Sequence, residues 1–147
     1  MNTLRGKNFL SIMDLSKAEL EWLIDEALYL KHQLDRGERH DELLKNKSFG
    51  MIFANPSTRT RVSFEVGMYQ LGGQALFLSG HDLQIDRGEP IEDTARVLSR
   101  FLDGILIRTY SHEMVENLAK YADCPVINGL TDDFHPTQVI ADLITIK

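Results

Sequence analysis

The sequence has little cysteine and no long apolar run. Its single cysteine, Cys124, excludes an internal disulfide, and the residues around it lack the paired cysteine and histidine spacing of a zinc site. We therefore interpret Cys124 as a small buried apolar residue. No apolar run approaches the roughly 20 residues that span a bilayer, and residues 1–10 lack the apolar stretch of a signal peptide. These absences predict a cytoplasmic protein with no membrane partner.

Basic residues are also scarce. The 16 lysines and arginines are outnumbered by 22 aspartates and glutamates, which gives a formal net charge of -6. Because non-specific nucleic-acid binding depends mostly on basic surface, this balance argues against a nucleic-acid partner, and any anion site must be local. The chain has 147 residues, 43% hydrophobic and 26% charged, and contains no repeat or internal linker. We therefore treat residues 1–147 as one globular domain.

Strand and helix patterns alternate along the chain. Buried strands are predicted at Ser48–Phe53, Ala75–Leu78, Gly104–Ile107 and Val126–Asn128. Helices are predicted at about 17–35, Arg59–Leu71, Ile91–Phe101 and Ser111–Tyr121, and from Pro136 onwards. Since parallel neighbours need crossover connections, this order predicts an α/β fold with three layers, a parallel sheet with helices on both faces. The apolar side of the last helix predicts a packing partner, so we expect these residues to belong to a larger architecture.

The segment Phe53–Arg61 lies between a predicted strand and a predicted helix, where ligands of parallel sheets bind. The first amides of the helix can bind a phosphate, Ser57, Thr58 and Thr60 add hydroxyls, and Arg59 adds a charged planar fork. An alternative is that Ser57 only caps the helix while the arginines form ordinary ion pairs. The Walker lysine and its glycine spacing are absent, so a nucleotide-binding P-loop is poorly supported. The residues alone indicate a site for phosphate or a similar anion.

Four motifs occur in order along the chain: Ser57–Arg61 followed by Phe64 and Glu65, Asp93–Leu98, Asn128–Thr131, and His135–Gln138. Together they resemble the carbamoyl-phosphate-binding half of the aspartate and ornithine carbamoyltransferases, and the resemblance covers essentially the whole chain. Residues 84–90 and Arg108 look more like the ornithine branch. The aspartate branch would carry a lysine loop here, and no lysine lies between Lys47 and Lys120. Motifs for the acceptor would lie in a second, ornithine-binding domain that is absent from residues 1–147.

The resemblance implies roles for particular residues. The residues expected to bind carbamoyl phosphate are Ser57, Thr58, Arg59, Thr60, Gln84, Arg108, His135 and Gln138. Those expected to stabilise the transition state as catalytic residues are Arg59, Thr60, Arg108 and His135. Arg108 would contact both the phosphate and the carbamoyl oxygen, while His135 and Gln138 would reach the carbonyl and the amide. Gln84 would enter the active site of a neighbouring subunit, which implies a homotrimer.

The same resemblance implies transfer of a carbamoyl group to the side-chain amine of ornithine, within arginine biosynthesis and without a metal or cofactor. Arg61 is interpreted as a structural support, and His32, His40, His81 and His112 as surface residues. Two alternatives stay open. The acceptor could be aspartate or another amine, or the chain could be an anion-binding, trimer-forming module without turnover.

Overall fold

The computed structural model describes residues 4–80, 83 and 88–147, and within them helices and strands alternate as predicted. After a short 3-10 helix at Ile12–Asp14, the elements are α1 (Lys17–Asp35), β1 (Ser48–Phe53), α2 (Thr58–Gln70), β2 (Gln74–Ser79), α3 (Ile91–Leu98), β3 (Gly104–Arg108), α4 (His112–Tyr121), β4 (Val126–Leu130) and α5 (Pro136–Ile146). No helix in these ranges is both long and apolar enough to cross a bilayer.

The strands form a parallel sheet in the order β2-β1-β3-β4. Side chains alternate between its two faces, as the pleat of a strand requires. On one face Ile52, Ile105 and Ile107 pack with Val115 and Leu118 of α4. On the other face the core contains Met51, Phe53 and Leu106, with Phe64 of α2 packed against it. The predicted α/β fold with helices on both faces of a parallel sheet is confirmed.

Several element ends differ from the predicted ones. α4 begins one residue later than predicted because Ser111 is its N-cap and accepts a hydrogen bond from Met114 N at 3.3 Å. α3 ends at Leu98 instead of Phe101, where the Ser99 hydroxyl donates to Ala95 O. β4 continues two residues past Asn128, to Leu130. The motif at Asn128–Thr131 therefore lies mostly in a strand.

Candidate anion-binding site

The carboxyl ends of β1 and β3 bring two arginine-bearing segments together. Phe53, which ends β1, is the register partner of Arg108, which ends β3, and Ala54 N donates to Arg108 O at 3.0 Å. The chain then enters α2, whose first turn carries Arg59 and Thr60. Ligands of open parallel sheets bind outside the carboxyl ends of the strands, so this edge is the candidate site.

The first turn of α2 presents hydrogen-bond donors to this edge. Ser57 caps the helix by accepting a hydrogen bond from Thr60 N at 3.3 Å. The amides of Thr58 and Arg59, which lie ahead of the first intrahelical bond, have no acceptor among the residues that the structure describes. Together with the helix dipole, these two amides favour a bound anion. The capping role of Ser57 and an anion site are thus compatible.

Arg108 lies half-buried beside this turn. Its Nη1 is 3.5 Å from Thr60 Oγ1, a long contact, and its Nε is buried without a hydrogen-bond partner within residues 4–80, 83 and 88–147. Burial lowers the pKa of Arg108, and the positive charge of Arg59 lowers it further. The guanidinium still stays charged at neutral pH. Two cations and an unpaired buried donor therefore converge where an anion would compensate both.

His135 is the N-cap residue of α5 and lies half-buried. Its Nδ1 is 3.3 Å from Thr137 Oγ1. Burial lowers the pKa of His135, the charge of Arg108 lowers it further, and Asp142 opposes them. The influence of Arg108 indicates that the two side chains share one electrostatic environment. His135 is therefore a neutral imidazole near pH 7, able to donate a hydrogen bond without adding charge.

The assembled edge is rich in donors and positive charge, which suits phosphate chemistry. Within the described ranges, no group of three or more histidine, cysteine, aspartate or glutamate side chains is arranged to hold a metal ion. What the arrangement can do chemically is bind a phosphate between Arg59, Arg108 and the start of α2, and donate a hydrogen bond from His135 to a neighbouring group.

Residues 7–147 match the family model described as aspartate/ornithine carbamoyltransferase, carbamoyl-P binding domain. The chain belongs to this carbamoyltransferase family. It is 62% identical over 145 residues to the ornithine carbamoyltransferase of Symbiobacterium thermophilum, and the alignment covers 99% of this chain and 46% of that protein. The chain therefore spans about half the length of the curated relatives that it matches.

Solved carbamoyltransferase structures share the fold. The ornithine carbamoyltransferase of Pyrococcus furiosus superposes with a TM-score of 0.94 at 52% identity, over 97% of this chain and 45% of that one. The aspartate transcarbamoylase of Trypanosoma cruzi, solved with carbamoyl phosphate and aspartate, gives a TM-score of 0.90 at 30% identity, over 98% of this chain and 45% of that one. The predicted family is confirmed.

Two residues predicted from the carbamoyltransferase resemblance are not brought into the site by the described contacts. Gln138 lies on the first turn of α5 as predicted, but its side chain is exposed and its Nε2 donates to Asp142 Oδ1 at 2.8 Å. Gln84 lies outside the residues that the structure describes. The roles of both residues stay predictions.

Arg61, in the same carbamoyltransferase motif as Arg59, makes contacts within the protein. Its Nε is 3.0 Å from Glu65 Oε1, and its guanidinium lies 3.7 Å from the centroid of the Phe77 ring on β2. These contacts agree with its interpretation as a structural support for the loop.

Two histidines that were predicted to be surface residues are partly buried. His112, predicted to be a surface residue, has a side chain only 14% exposed, and its Nδ1 is 3.2 Å from Thr131 Oγ1. The Nε2 of His40 is buried and unpaired within the described ranges. Those two predictions are wrong, and for His112 the reason is that its ring is covered by Thr131 and Phe134, which are distant in sequence. His32 is exposed as predicted, and His81 lies outside the described residues.

Two mainly apolar cavities lie away from this site. One, of about 720 Å³, is lined by the first residues of the strands, including Phe49 and Gly104. The other, of about 340 Å³, shares Phe64 and Ile127 with it. Neither cavity is lined by Arg59, Arg108 or His135. The charged site is thus an open edge of the sheet, separate from both cavities.

Proposed function

We propose that the chain binds carbamoyl phosphate at the carboxyl edge of its sheet and supplies that half of the active site to an ornithine carbamoyltransferase. The observation that carries this proposal is the buried, unpaired Nε of Arg108 beside Arg59. An anion at this point would satisfy the donor and relieve the repulsion between the two guanidinium groups. The family match to a carbamoyl-P binding domain supports carbamoyl phosphate as that anion.

In the proposed reaction, the uncharged side-chain amine of ornithine attacks the carbonyl carbon of carbamoyl phosphate. The bond from that carbon to the bridging oxygen breaks, phosphate leaves with the electron pair, and the amine loses a proton to give citrulline. Negative charge grows on the carbonyl oxygen and on the departing phosphate. Donors already in place at these oxygens stabilise the transition state more than the ground state.

The residues divide between the two ends of the ligand. Ser57, Thr58, Arg59 and Thr60 bind the phosphate, and Arg108 spans the phosphate and the carbonyl oxygen. His135 donates to that same carbonyl oxygen. In the tautomer of His135 that carries its proton on Nε2, Nδ1 accepts a hydrogen bond from the Thr137 hydroxyl. Nε2 is then the nitrogen that donates to the carbonyl oxygen. Gln138 would turn away from Asp142 to reach the amide.

Ornithine as the acceptor is supported by the identity of 62% to an ornithine carbamoyltransferase, against 30% to an aspartate transcarbamoylase. The lack of lysine between Lys47 and Lys120 points the same way. The acceptor itself would bind in a second domain, to which residues 1–147 add the carbamoyl phosphate site. We also propose that the chain acts in the cytoplasm as a homotrimer whose Gln84 crosses an interface, and sedimentation would test that assembly.

Isothermal titration with inorganic phosphate tests the binding site. We compare the parent chain with Arg108→Gln, which removes the charge, and use Arg36→Gln as the matched control. Arg36 is exposed after α1 and pairs with Glu38. Because hydrogen bonds to charged groups are worth about 1.5–3 kcal/mol, Arg108→Gln should weaken phosphate binding about tenfold or more. Arg36→Gln should bind as the parent does.

Equal phosphate affinity of Arg108→Gln and the parent would show that the anion site is elsewhere. A parent chain that binds neither phosphate nor carbamoyl phosphate would refute the proposal as a whole. Circular dichroism of each variant ensures that a loss of affinity is compared between folded proteins.

A further inference from the structure

Arg108 and His135 are each next to a loop, and these two loops are hydrogen-bonded to each other. One loop follows Arg108, and the other precedes His135. They are connected by two backbone hydrogen bonds, Thr109 N to Leu130 O at 3.0 Å and Asp132 N to Tyr110 O at 3.0 Å. These bonds fix the loops at their base. The tip of the second loop, which leads directly into His135, is held by further hydrogen bonds.

That tip is a closed turn from Thr131 to Phe134. Thr131 N donates to Phe134 O at 2.9 Å, and Phe134 N donates to Thr131 Oγ1 at 3.1 Å. Asn128, which is fully buried, donates from Nδ2 to the same Phe134 carbonyl at 3.3 Å. These hydrogen bonds fix the peptide group directly before His135. Thr131 contributes both its backbone amide and its Oγ1 to them.

His112 links the first loop to this turn. It is the first residue of α4, and its ring packs edge-on against Phe134 with centroids 4.7 Å apart. Its Nδ1 lies 3.2 Å from Thr131 Oγ1, while its Nε2 is 3.9 Å from Glu116 Oε1, too far for a hydrogen bond. Both the ring and one nitrogen of His112 thus contact the segment that presents His135.

The hydroxyl of Thr131 joins His112 to the turn before His135. A hydroxyl has one proton and two lone pairs. Thr131 Oγ1 accepts from Phe134 N and lies 3.4 Å from Phe134 O, to which it can donate its proton. The Phe134 carbonyl already accepts from Thr131 N and Asn128 Nδ2, so the hydroxyl proton can equally point to Nδ1 of His112, and either tautomer of His112 gives a hydrogen bond between Nδ1 and Thr131 Oγ1. His112 is thus hydrogen-bonded to a hydroxyl that also contacts the amide and the carbonyl of Phe134.

We propose that His112 is a positioning residue for His135: its Nδ1 hydrogen bond with Thr131 and its packing on Phe134 set where the His135 ring lies relative to Arg108. The inference deepens the proposed function and rests on it for the choice of ligand. His112 itself would not touch the ligand. It would act on the carbamoyl end of the site and leave phosphate binding alone.

Two variants separate the hydrogen bond from simple packing. His112→Phe keeps an aromatic ring against Phe134 but removes the Nδ1 hydrogen bond. His112→Asn loses the ring but places an amide near the position of Nδ1. His32→Phe, at an exposed position on α1, is the matched control. The probes are inorganic phosphate and the stable methylene analogue of carbamoyl phosphate, in which CH2 replaces the bridging oxygen.

The measured quantity is the preference of each protein for the analogue over phosphate. His112→Phe should lower that preference about three- to tenfold with phosphate affinity unchanged, and His112→Asn should retain most of it. In ¹⁵N-resolved spectra, His112→Phe should also shift the ring resonances of His135 in the free protein. His32→Phe should alter neither quantity.

A His112→Phe protein with the parent's preference and unshifted His135 resonances would overturn the inference. An equal loss in both His112 variants, with His135 unshifted, would also overturn it, since the loss would then not arise from a change in the position of His135. If the parent prefers neither probe, the carbamoyl part of the proposed function fails instead. The His135 resonances alone would then decide whether His112 positions that ring.

A variant that does not fold is replaced by two changes at Thr131. Thr131→Ser keeps the hydroxyl and should match the parent in both readouts, whereas Thr131→Val removes the hydroxyl and should not.

Discussion

Arg108 and His135 meet at the same edge of the sheet, and burial affects their charges differently. Burial lowers the pKa of both side chains, and each also feels a neighbouring cation, Arg59 for Arg108 and Arg108 for His135. A guanidinium has enough reserve to stay charged, whereas an imidazole near its midpoint does not. The site therefore combines charged donors for phosphate with one neutral donor for a carbonyl oxygen.

The lowered pKa of His135 predicts a pH dependence of stability. The unfolded chain titrates near the ordinary value of 6.5, and the folded chain titrates lower because of burial and Arg108. Between those two values the unfolded state binds more protons, so the free energy of unfolding rises with pH. Stability that is present above pH 6.5 should be lost as the pH falls through the folded pKa of His135.

Urea unfolding at about pH 7.5 and about pH 5.5 measures this loss, since the window spans the titration of histidine. His135→Gln should lose less stability than the parent on acidification, while His32→Gln should behave as the parent does. Equal losses in the parent and His135→Gln would contradict the assignment. Phosphate should raise the pKa of His135 in an NMR titration, because an anion favours the imidazolium.

The position of a single side chain could be predicted from the sequence where its neighbours in the chain form a recognisable strand or helix pattern. Arg108 follows the buried run Ile105–Ile107, so its place at the sheet edge could be derived from the strand pattern. His112 could not be found in that way. Its partner Thr131 is 19 residues away and its contact Phe134 is on another loop. Only the pairing of β3 with β4 brings these residues together.

At the scale of elements, the motif Ser57–Arg61 divides its work along α2. Arg59 and Thr60 lie in the first turn at the sheet edge, and Arg61 reaches across to Phe77 on β2. Arg61 also pairs with Glu65 one turn further along the helix. Arg59 and Arg61 thus have different surroundings although one residue separates them. Arg59 lies at the candidate ligand site, and Arg61 contacts other side chains of the protein.

This division predicts opposite effects in neighbouring variants. Arg61→Ala should lower the free energy of unfolding by about 0.5–1 kcal/mol, because it removes a cation–π contact at a partly exposed site. Its phosphate affinity should stay within about twofold of the parent's. Arg59→Ala should lose about tenfold or more in phosphate affinity. Its stability should be unchanged or slightly raised, since the charge of Arg59 opposes that of Arg108.

Urea unfolding and calorimetry on both proteins check this pair, with each variant as the control for the other. A phosphate affinity that falls equally in both would assign Arg61 to the ligand. Arg61→Lys should recover part of the stability, since an ammonium can also lie over a ring.

Element order was predictable from the sequence, but element ends were not. Strands of β-branched and aromatic residues between amphipathic helices gave the alternation of a parallel sheet. The end of β4 depends on Asn128, a polar residue that is fully buried in the strand. Its Nδ2 donates to Leu10 O at 2.9 Å and its Oδ1 accepts from Leu130 N at 2.9 Å. A partner 118 residues away is invisible to a local pattern.

At the scale of the whole molecule, the sheet has two different edges. The carboxyl edge carries Arg59, Arg108 and His135, and the amino edge carries the mainly apolar cavity beside Phe49 and Gly104. With a net charge of -6, the chain is acidic, so the cationic edge is a local feature, as the composition required. Electrostatic attraction of an anionic ligand should therefore be short in range and sensitive to salt.

Residues 1–147 without further sequence should turn over carbamoyl phosphate and ornithine slowly. The relative from Symbiobacterium thermophilum is matched over only 46% of its length, and we expect the remainder to hold the acceptor. Orienting two reactants can lower a barrier by roughly 7–11 kcal/mol, and closure over the site excludes water, but both effects need the acceptor to be bound. The chain should therefore bind carbamoyl phosphate yet form citrulline far more slowly than the relative assayed beside it. Arg108→Gln serves as the background control, since turnover that survives this change would come from a contaminating enzyme. A parent rate within about tenfold of the relative, abolished by Arg108→Gln, would instead mean that these residues contain an acceptor site and supply that orientation themselves.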